Sequence, residues 1–379
     1  MDVPVTGTSR TTVAGVAPAT CDSCGTPAPA GARFCEECGS PLPLAAAPSP
    51  DAAQAPPLSA PTRPVRAGGA VVPAPARGAC VDCGGEVDAD GYCTQCGTKA
   101  PLPRDHMVEQ PQPWVAAVSD RGRRHHRNED AAATAADPGP GRWAVLVICD
   151  GVSSSESSDV ASLAAARAAR DVLVRERGAG LASGSALTAL AGARLVAAGA
   201  AAAAAVEEVT RVEHGDSPPS CTFVAAVLDG DQVAVGNVGD SRAYWLPDAG
   251  DPKALTVDDS YAAQQVAEGL PRTEAETGPH AHAITRWLGI DAEDQVPTIT
   301  HHRLDGTGWL LLCSDGLWNY ASEAAATAQV VVRAAATPDG DPLPMAEELV
   351  RWANEQGGKD NITVALARVG AWKHEGGPA

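Results

Sequence analysis

The chain is poor in positive charge. Lysine and arginine number 28 against 47 aspartates and glutamates, for a formal net charge of −19. That balance argues against electrostatic binding to nucleic acid or to an anionic membrane surface. Long apolar runs are also missing. The longest, Leu195 to Val206, is mostly alanine and lies between Arg194 and Glu207-Glu208, so it reads as a helix of a water-soluble fold rather than a bilayer span. Residues 1–10 show no basic segment followed by an apolar core. No secretory signal is therefore expected, and a cytoplasmic location is. The chain has no Gly-x4-Gly-Lys-[Ser/Thr] loop, which counts against an ATPase or kinase. None of the 11 cysteines is followed six positions later by arginine, which excludes the Cys-x5-Arg phosphate loop.

What is present begins with cysteine. Cys21-x-x-Cys24 and Cys35-x-x-Cys38 form one cluster, and Cys80-x-x-Cys83 and Cys93-x-x-Cys96 form a second. Each ends in Cys-x-x-Cys-Gly, with an aromatic, Phe34 or Tyr92, before the second pair. Four thiolates at this spacing can close a tetrahedral shell round one structural Zn²⁺. Disulfides need an oxidising compartment, which nothing here indicates. An iron site or redox dithiols are the remaining readings. Each ribbon is too small to have a core without metal, so folding and metal binding should be one event. The ribbons are either solvated stabilising knobs or docking devices for a protein partner or for another copy of the chain. Acidic residues near them favour protein over nucleic acid as that partner. The expected boundaries are a disordered N-terminus over 1–18, ribbons over 19–41 and 78–101, and a Pro/Ala-rich linker over 42–77. A connector over 102–113, a catalytic domain over 114–371 and a disordered tail over 372–379 complete the chain.

Within the catalytic region, strands are expected at Val115 to Val118, Ala144 to Cys149, Thr222 to Leu228, Gln232 to Val238, Arg242 to Leu246, Trp309 to Cys313 and Ile362 to Val369. Helices are expected at Asp159 to Arg175, Ala186 to Val212, Tyr261 to Glu268, Ala321 to Ala336 and Met345 to Gln356. Asp229-Gly230-Asp231 signals a hairpin, so the sheet is not purely parallel. Four acidic motifs punctuate these elements: Asn128-Glu129-Asp130, Asp150-Gly151, Ser314-Asp315-Gly316 and Lys359-Asp360-Asn361. Each lies beside an apolar strand. Carboxylates gathered at one rim of a core suit Mg²⁺ or Mn²⁺ rather than zinc. Two such ions about 3.5–4 Å apart can activate a water and polarise a phosphoryl oxygen.

These motifs, with Ser119-Asp120-x-Gly122, Ser220-Cys221-Thr222, Gly236-Asn237-Val238-Gly239-Asp240-Ser241-Arg242, Leu255-Thr256-Val257-Asp258 and Thr285-Arg286-Trp287-Leu288-Gly289, follow one another in the order of a known family. From about Trp114 to Val369 the chain resembles the metal-dependent Ser/Thr protein phosphatases of type 2C, in particular their bacterial members. The resemblance implies an α+β fold, a four-layer α-β-β-α sandwich of two antiparallel sheets flanked by helices. It implies a protein-serine/threonine phosphatase using two Mn²⁺ or Mg²⁺ ions, whose activated water attacks the phosphoryl group directly. Asp150 should bridge both ions with the Gly151 carbonyl adding a ligand to one, and Asp315 and Asp360 should ligate one of the two. Glu129 should act mainly through metal-bound water, and Asp130 as an outer acid or a water ligand. Asp240 matches a third, looser metal position, or else is a hairpin-turn carboxylate. Asn361 either orients a ligand or caps a turn. Arg242 and Arg286 are expected to be structural, and Cys149 and Cys313 to be small core residues.

Two departures stand out. His125 occupies the slot where the family pattern has a phosphate-binding Arg, although Arg123, Arg124, His126 and Arg127 keep the segment basic. Val152-Ser153-Ser154 replaces the usual Met-Gly-Gly after Asp150-Gly151. The expected partners are phosphorylated proteins and a Ser/Thr kinase or its substrates. A contrasting expectation is a catalytically weak phosphoprotein-binding scaffold whose ribbons dock a partner.

Overall fold

In the computed structural model, the structure describes residues 79–80, 83–88, 90–175, 177, 185–211, 214–278, 280–335 and 340–370, with the short strands β1 (Ala19–Thr20) and β2 (Pro27–Ala28). The chain divides into two compact units, Met1–Thr62 and Arg63–Ala379. In the first, the described residues are the antiparallel β1–β2 pair. Cys21, Cys24, Cys35 and Cys38 lie outside the described residues, as do the expected linker and both expected disordered ends.

The second unit carries the sandwich. One antiparallel sheet has six strands: β10 (Lys253–Ala254), β9 (Arg242–Pro247), β12 (Gly308–Cys313), β13 (Ile362–Val369), β4 (Val115–Asp120) and β3 (His106–Gln112), in that order. The other runs β11 (Thr298–Arg303), β8 (Gln232–Val238), β7 (Phe223–Asp229), β6 (Trp143–Cys149) and β5 (Ala131–Ala136). Period-two alternation builds both layers at once. On β12, Leu310 and Leu312 enter the core between the sheets with Leu146, Ile148 and Val224, while Trp309, Leu311 and Cys313 face outward. That outer face is covered by α5 (Asp315–Trp318), α6 (Ala324–Ala334) and α7 (Pro342–Gln356), through Leu317, Val331, Leu349 and Ala353. On the opposite side, α1 (Ser158–Arg175) and α2 (Ser185–Val209) pack on the five-stranded sheet. The four-layer α-β-β-α order is as the resemblance implies.

Several expectations need correction. Residues 102–113 are not a simple connector: residues 106–112 pair with β4 as an edge strand, and a 3₁₀ turn, Pro103–Asp105, precedes it. The alternating pattern there is interrupted by Pro111 and a register shift between Glu109 and Gln112, which hides a strand from a periodicity reading. β5 reads Ala-Ala-Ala-Thr-Ala-Ala, a helix-favouring composition. Pairing with β6 overrides that preference, and the small side chains let α1 lie close. The apolar stretch of α2 is longer than the sequence run suggested, and Ala189–Val209 is long and apolar enough to cross a membrane by length and composition alone. Leu195, Ala198, Ala202 and Val206 of this helix are nonetheless buried in the fold.

Between residues 79 and 100 the second ribbon folds as two knuckles. Gly84 N–H donates to the Cys80 carbonyl and Gly97 N–H to the Cys93 carbonyl, at 2.8 and 2.9 Å. Both glycines have positive φ, 72° and 74°, which favours glycine at those turns.

Candidate active site

The acidic motifs meet at one end of the sandwich because the strands that carry them end there. Asp150 follows β6, Asp130 precedes β5, Asp240 lies in the β8–β9 turn, Asp315 opens α5 after β12, and Asp360 precedes β13. Their proximity is visible in their electrostatics. Burial, then the charges of Asp130, Asp315, Asp360 and Asp240, holds the Asp150 carboxyl well above the usual range. Asp315 is raised by burial, then by Asp360, Asp240 and Asp130. Burial pushes Asp130 up to about 6 and Asp240 up to about 7. Asp360 is raised by burial and opposed by His125. Asp130 is wholly buried, and neither carboxylate oxygen has a hydrogen-bond partner. Of the nearby hydroxyls, Thr363 Oγ1 donates to Ser119 Oγ at 2.7 Å, whereas Ser314 Oγ accepts from Thr363 N at 2.9 Å and keeps its own proton to donate. Carboxylates that repel one another, with unpaired oxygens among them, fit a site for hard divalent cations.

The walls of this site are tightly tied. Asp150 N–H donates to Thr222 Oγ1 at 3.1 Å, and its carbonyl accepts from Thr222 N at 2.7 Å. Asn319 Nδ2 donates to Asp315 Oδ2 at 3.0 Å. A Cβ on Gly316 would stand 1.9 Å from the Asn361 carbonyl oxygen, so only glycine lets the Asp315 turn pack on the Asp360–Asn361 segment. Asn361, whose role the sequence left open, clamps the acidic loop. Its Oδ1 accepts from Glu129 N at 2.7 Å, and its Nδ2 donates to the Arg121 and Arg127 carbonyls at 2.7 and 3.1 Å.

His125 does reach the site. Its Nε2 lies 3.1 Å from Asp360 Oδ1 and its Nδ1 3.7 Å from Glu129 Oε2. The sequence reading missed the partners of Glu129. Arg127 Nε and Nη2 donate to Glu129 Oε1 at 3.0 and 2.7 Å, and Ser158 Oγ donates to the same oxygen at 2.7 Å. The Glu129 carbonyl accepts from Gly151 N at 3.1 Å and from Ser162 Oγ. The position of Arg127 next to Asn128-Glu129-Asp130 was a usable signal. Ser158 and Ser162 are placed by α1, which a reading of motifs alone does not connect to the site.

Arg242 and Arg286, expected to be structural, are both held by carboxylates. Arg242 is buried, pairs through Nη2 and Nε with Asp258 at 2.6–3.0 Å, and stacks 3.6 Å over the Trp318 ring. Arg286 bonds both Asp259 oxygens at 3.2 Å. Cys149 and Cys313 are buried core thiols, pushed upward by burial.

Away from the carboxylates, Cys80, Cys83, Cys93 and Cys96 place their sulfurs within 4.8 Å of one another. Neighbouring pairs lie 3.3–3.5 Å apart. A tetrahedral Zn–S shell has sulfurs about 3.8 Å apart, so the residues fit that metal with a small outward adjustment.

Known proteins share these features. Residues 121–354 match the protein phosphatase 2C family, and residues 21–97 match the double zinc ribbon. The serine/threonine phosphatase stp of Listeria innocua is 30% identical over 257 residues, covering 65% of this chain and 92% of the relative. The crystal structure of the Mycobacterium tuberculosis serine/threonine phosphatase PstP/Ppp superposes with a TM-score of 0.53 at 28% identity, covering 68% of this chain and 98% of that one. A catalytic domain of PstP solved with two manganese ions gives a TM-score of 0.50 at 28% identity over 68% of this chain and 98% of that one. The chain therefore belongs to the protein phosphatase 2C family, as a protein-serine/threonine phosphatase with a double zinc ribbon preceding its catalytic domain.

Proposed function

We propose that this enzyme hydrolyses phosphoserine and phosphothreonine in proteins with two Mn²⁺ or Mg²⁺ ions held at the carboxylate cluster, and that it opposes a bacterial Ser/Thr kinase. The observation that carries the reading is the convergence of Asp130, Asp150, Asp240, Asp315 and Asp360, with both oxygens of buried Asp130 unpaired. Asp150, the Gly151 carbonyl, Asp315 and Asp360 are the ligands, and Asp240 serves a third ion. When bound, such ions lower the pKa of a water and polarise a phosphoryl oxygen. Glu129, buried and held by Arg127, Ser158 and Asn361, would act through water at the cluster. Asp130, buried beside these carboxylates, serves as an outer acid or a water ligand. His125 lies over Asp360, and Arg127 brings a guanidinium to the same rim. Each four-cysteine cluster holds one structural Zn²⁺, and the ribbons dock a protein partner.

The test is hydrolysis of an aryl phosphate and a phosphothreonine peptide with and without Mn²⁺, in the wild type and in Asp150→Asn. Metal-dependent turnover that Asp150→Asn abolishes supports the reading. Full turnover in excess chelator refutes it.

A further inference from the structure

Arg104 lies eight residues past the last ribbon cysteine, in the segment first read as a connector. Its side chain does not lie on the surface. The residue is 8% exposed. Its Nη2 donates to the Asp159 carbonyl at 2.7 Å and to Ser162 Oγ at 3.0 Å, both in the first turns of α1. Its Nη1 lies 3.2 Å from Met107 Sδ. Burial lowers its pKa to about 10, with Asp159, Asp130 and Glu129 opposing, so it stays charged at neutral pH. Ser162 Oγ in turn donates to the Glu129 carbonyl, which also accepts from Gly151 N. The same segment grips the start of the acidic loop: Arg121 N donates to the Asp105 carbonyl at 2.8 Å, and His106 Nδ1 meets Asp120 Oδ2 at 2.7 Å.

We propose that Arg104 is a positioning residue that ties the ribbon-proximal segment, through Ser162 at the start of α1, to Glu129 and Gly151 at the active site. The inference rests on the phosphatase reading for its catalytic consequence, but the bonding chain exists independently of it. A buried guanidinium is costly to desolvate and is kept where its fixed fork of donors organises several acceptors. Here the acceptors are a helix-start carbonyl and the serine that holds the Glu129 backbone. Misplacing a catalytic wall by about 1 Å can cost on the order of 100-fold in rate.

The experiment uses the full chain with Mn²⁺ and an aryl phosphate, in Arg104→Met, Arg104→Lys, Ser162→Ala and the Arg104→Met/Ser162→Ala double variant. Arg104→Met and Ser162→Ala should each lower kcat by about 10-fold or more with KM within about 2-fold, since the loss is in positioning. The double variant should lose little beyond the worse single variant, because both act through one chain of contacts. Arg104→Lys should recover a substantial part of kcat. Multiplying losses, wild-type kcat in Ser162→Ala, or Lys no better than Met would overturn the proposal. Amide exchange at Gly151 supplies a readout free of turnover. Its protection should fall in Ser162→Ala and Arg104→Met, and unchanged protection refutes the proposal even if the wild type proves inactive. If Arg104→Met does not fold, Ser162→Ala, which removes a single hydroxyl, decides by both measures.

Discussion

The charge trapped in the carboxylate cluster sets how the metal-free enzyme should respond to pH. Asp130 sits at about 6 and Asp240 at about 7, against an ordinary 3.8, with burial the largest cause at each. Both acids are raised in the folded state, so the native protein holds more protons than the unfolded chain between pH 4 and 7. Stability is therefore present at the acid end of that window and is lost as pH rises through it. One pKa unit corresponds to about 1.4 kcal/mol, giving about 3 kcal/mol for Asp130 and about 4 kcal/mol for Asp240. The two acids share one field, so their contributions overlap, and a total on the order of 5 kcal/mol is expected. That is comparable with the whole stability of many domains. Divalent cations should restore it by binding only the folded state. The assay is thermal unfolding of chelator-treated protein from pH 5 to 7.5, repeated with Mn²⁺. Asp130→Asn removes one charge but leaves a buried amide unpaired, for a net gain of about 1–2 kcal/mol at pH 7.5 in the metal-free state. It should therefore raise the metal-free Tm by a few degrees while reducing the further rise that Mn²⁺ gives. A metal-free Tm that is flat or climbs with pH, or an Asp130→Asn variant less stable than wild type without metal, would refute the reasoning.

Gly316→Ala forces a methyl to within 1.9 Å of the Asn361 carbonyl and should cost about 1–3 kcal/mol, with a larger loss of kcat because Asp315 and Asp360 are pushed apart; urea unfolding and aryl phosphate kinetics measure the two effects. His125→Arg should lower KM by roughly 5- to 30-fold, about 1–2 kcal/mol, if the longer side chain reaches the phosphate. An unchanged KM in His125→Arg, with a large rise in Arg127→Ala, would assign phosphate contact to Arg127 instead. A chain starting at Pro101 should keep its turnover and lose two zinc ions per chain by elemental analysis. A chain starting at Val108 should lose turnover, because it lacks Arg104, Asp105 and His106.

The sequence alone determined the two ribbons, the order of the acidic motifs and most of the sandwich. Cysteine spacing constrains a metal shell locally, and buried strands such as β6 and β12 announce themselves as apolar runs. The carboxylates were legible because each sits at the end of such a run. The tertiary structure decided what local pattern does not encode. β5 is a strand because β6 pairs with it, although its alanines favour helix. β3 extends the sheet in spite of Pro111. Ser158 and Ser162 reach Glu129, and Arg104 reaches Ser162, only because α1 and the segment before β3 are folded against the acidic loop. Hydrogen bonds spanning 29 to 58 positions in the chain depend on distances that no short window contains. The same holds for the repulsion that raises the carboxyl groups, since it comes from five segments brought to one end of the sandwich.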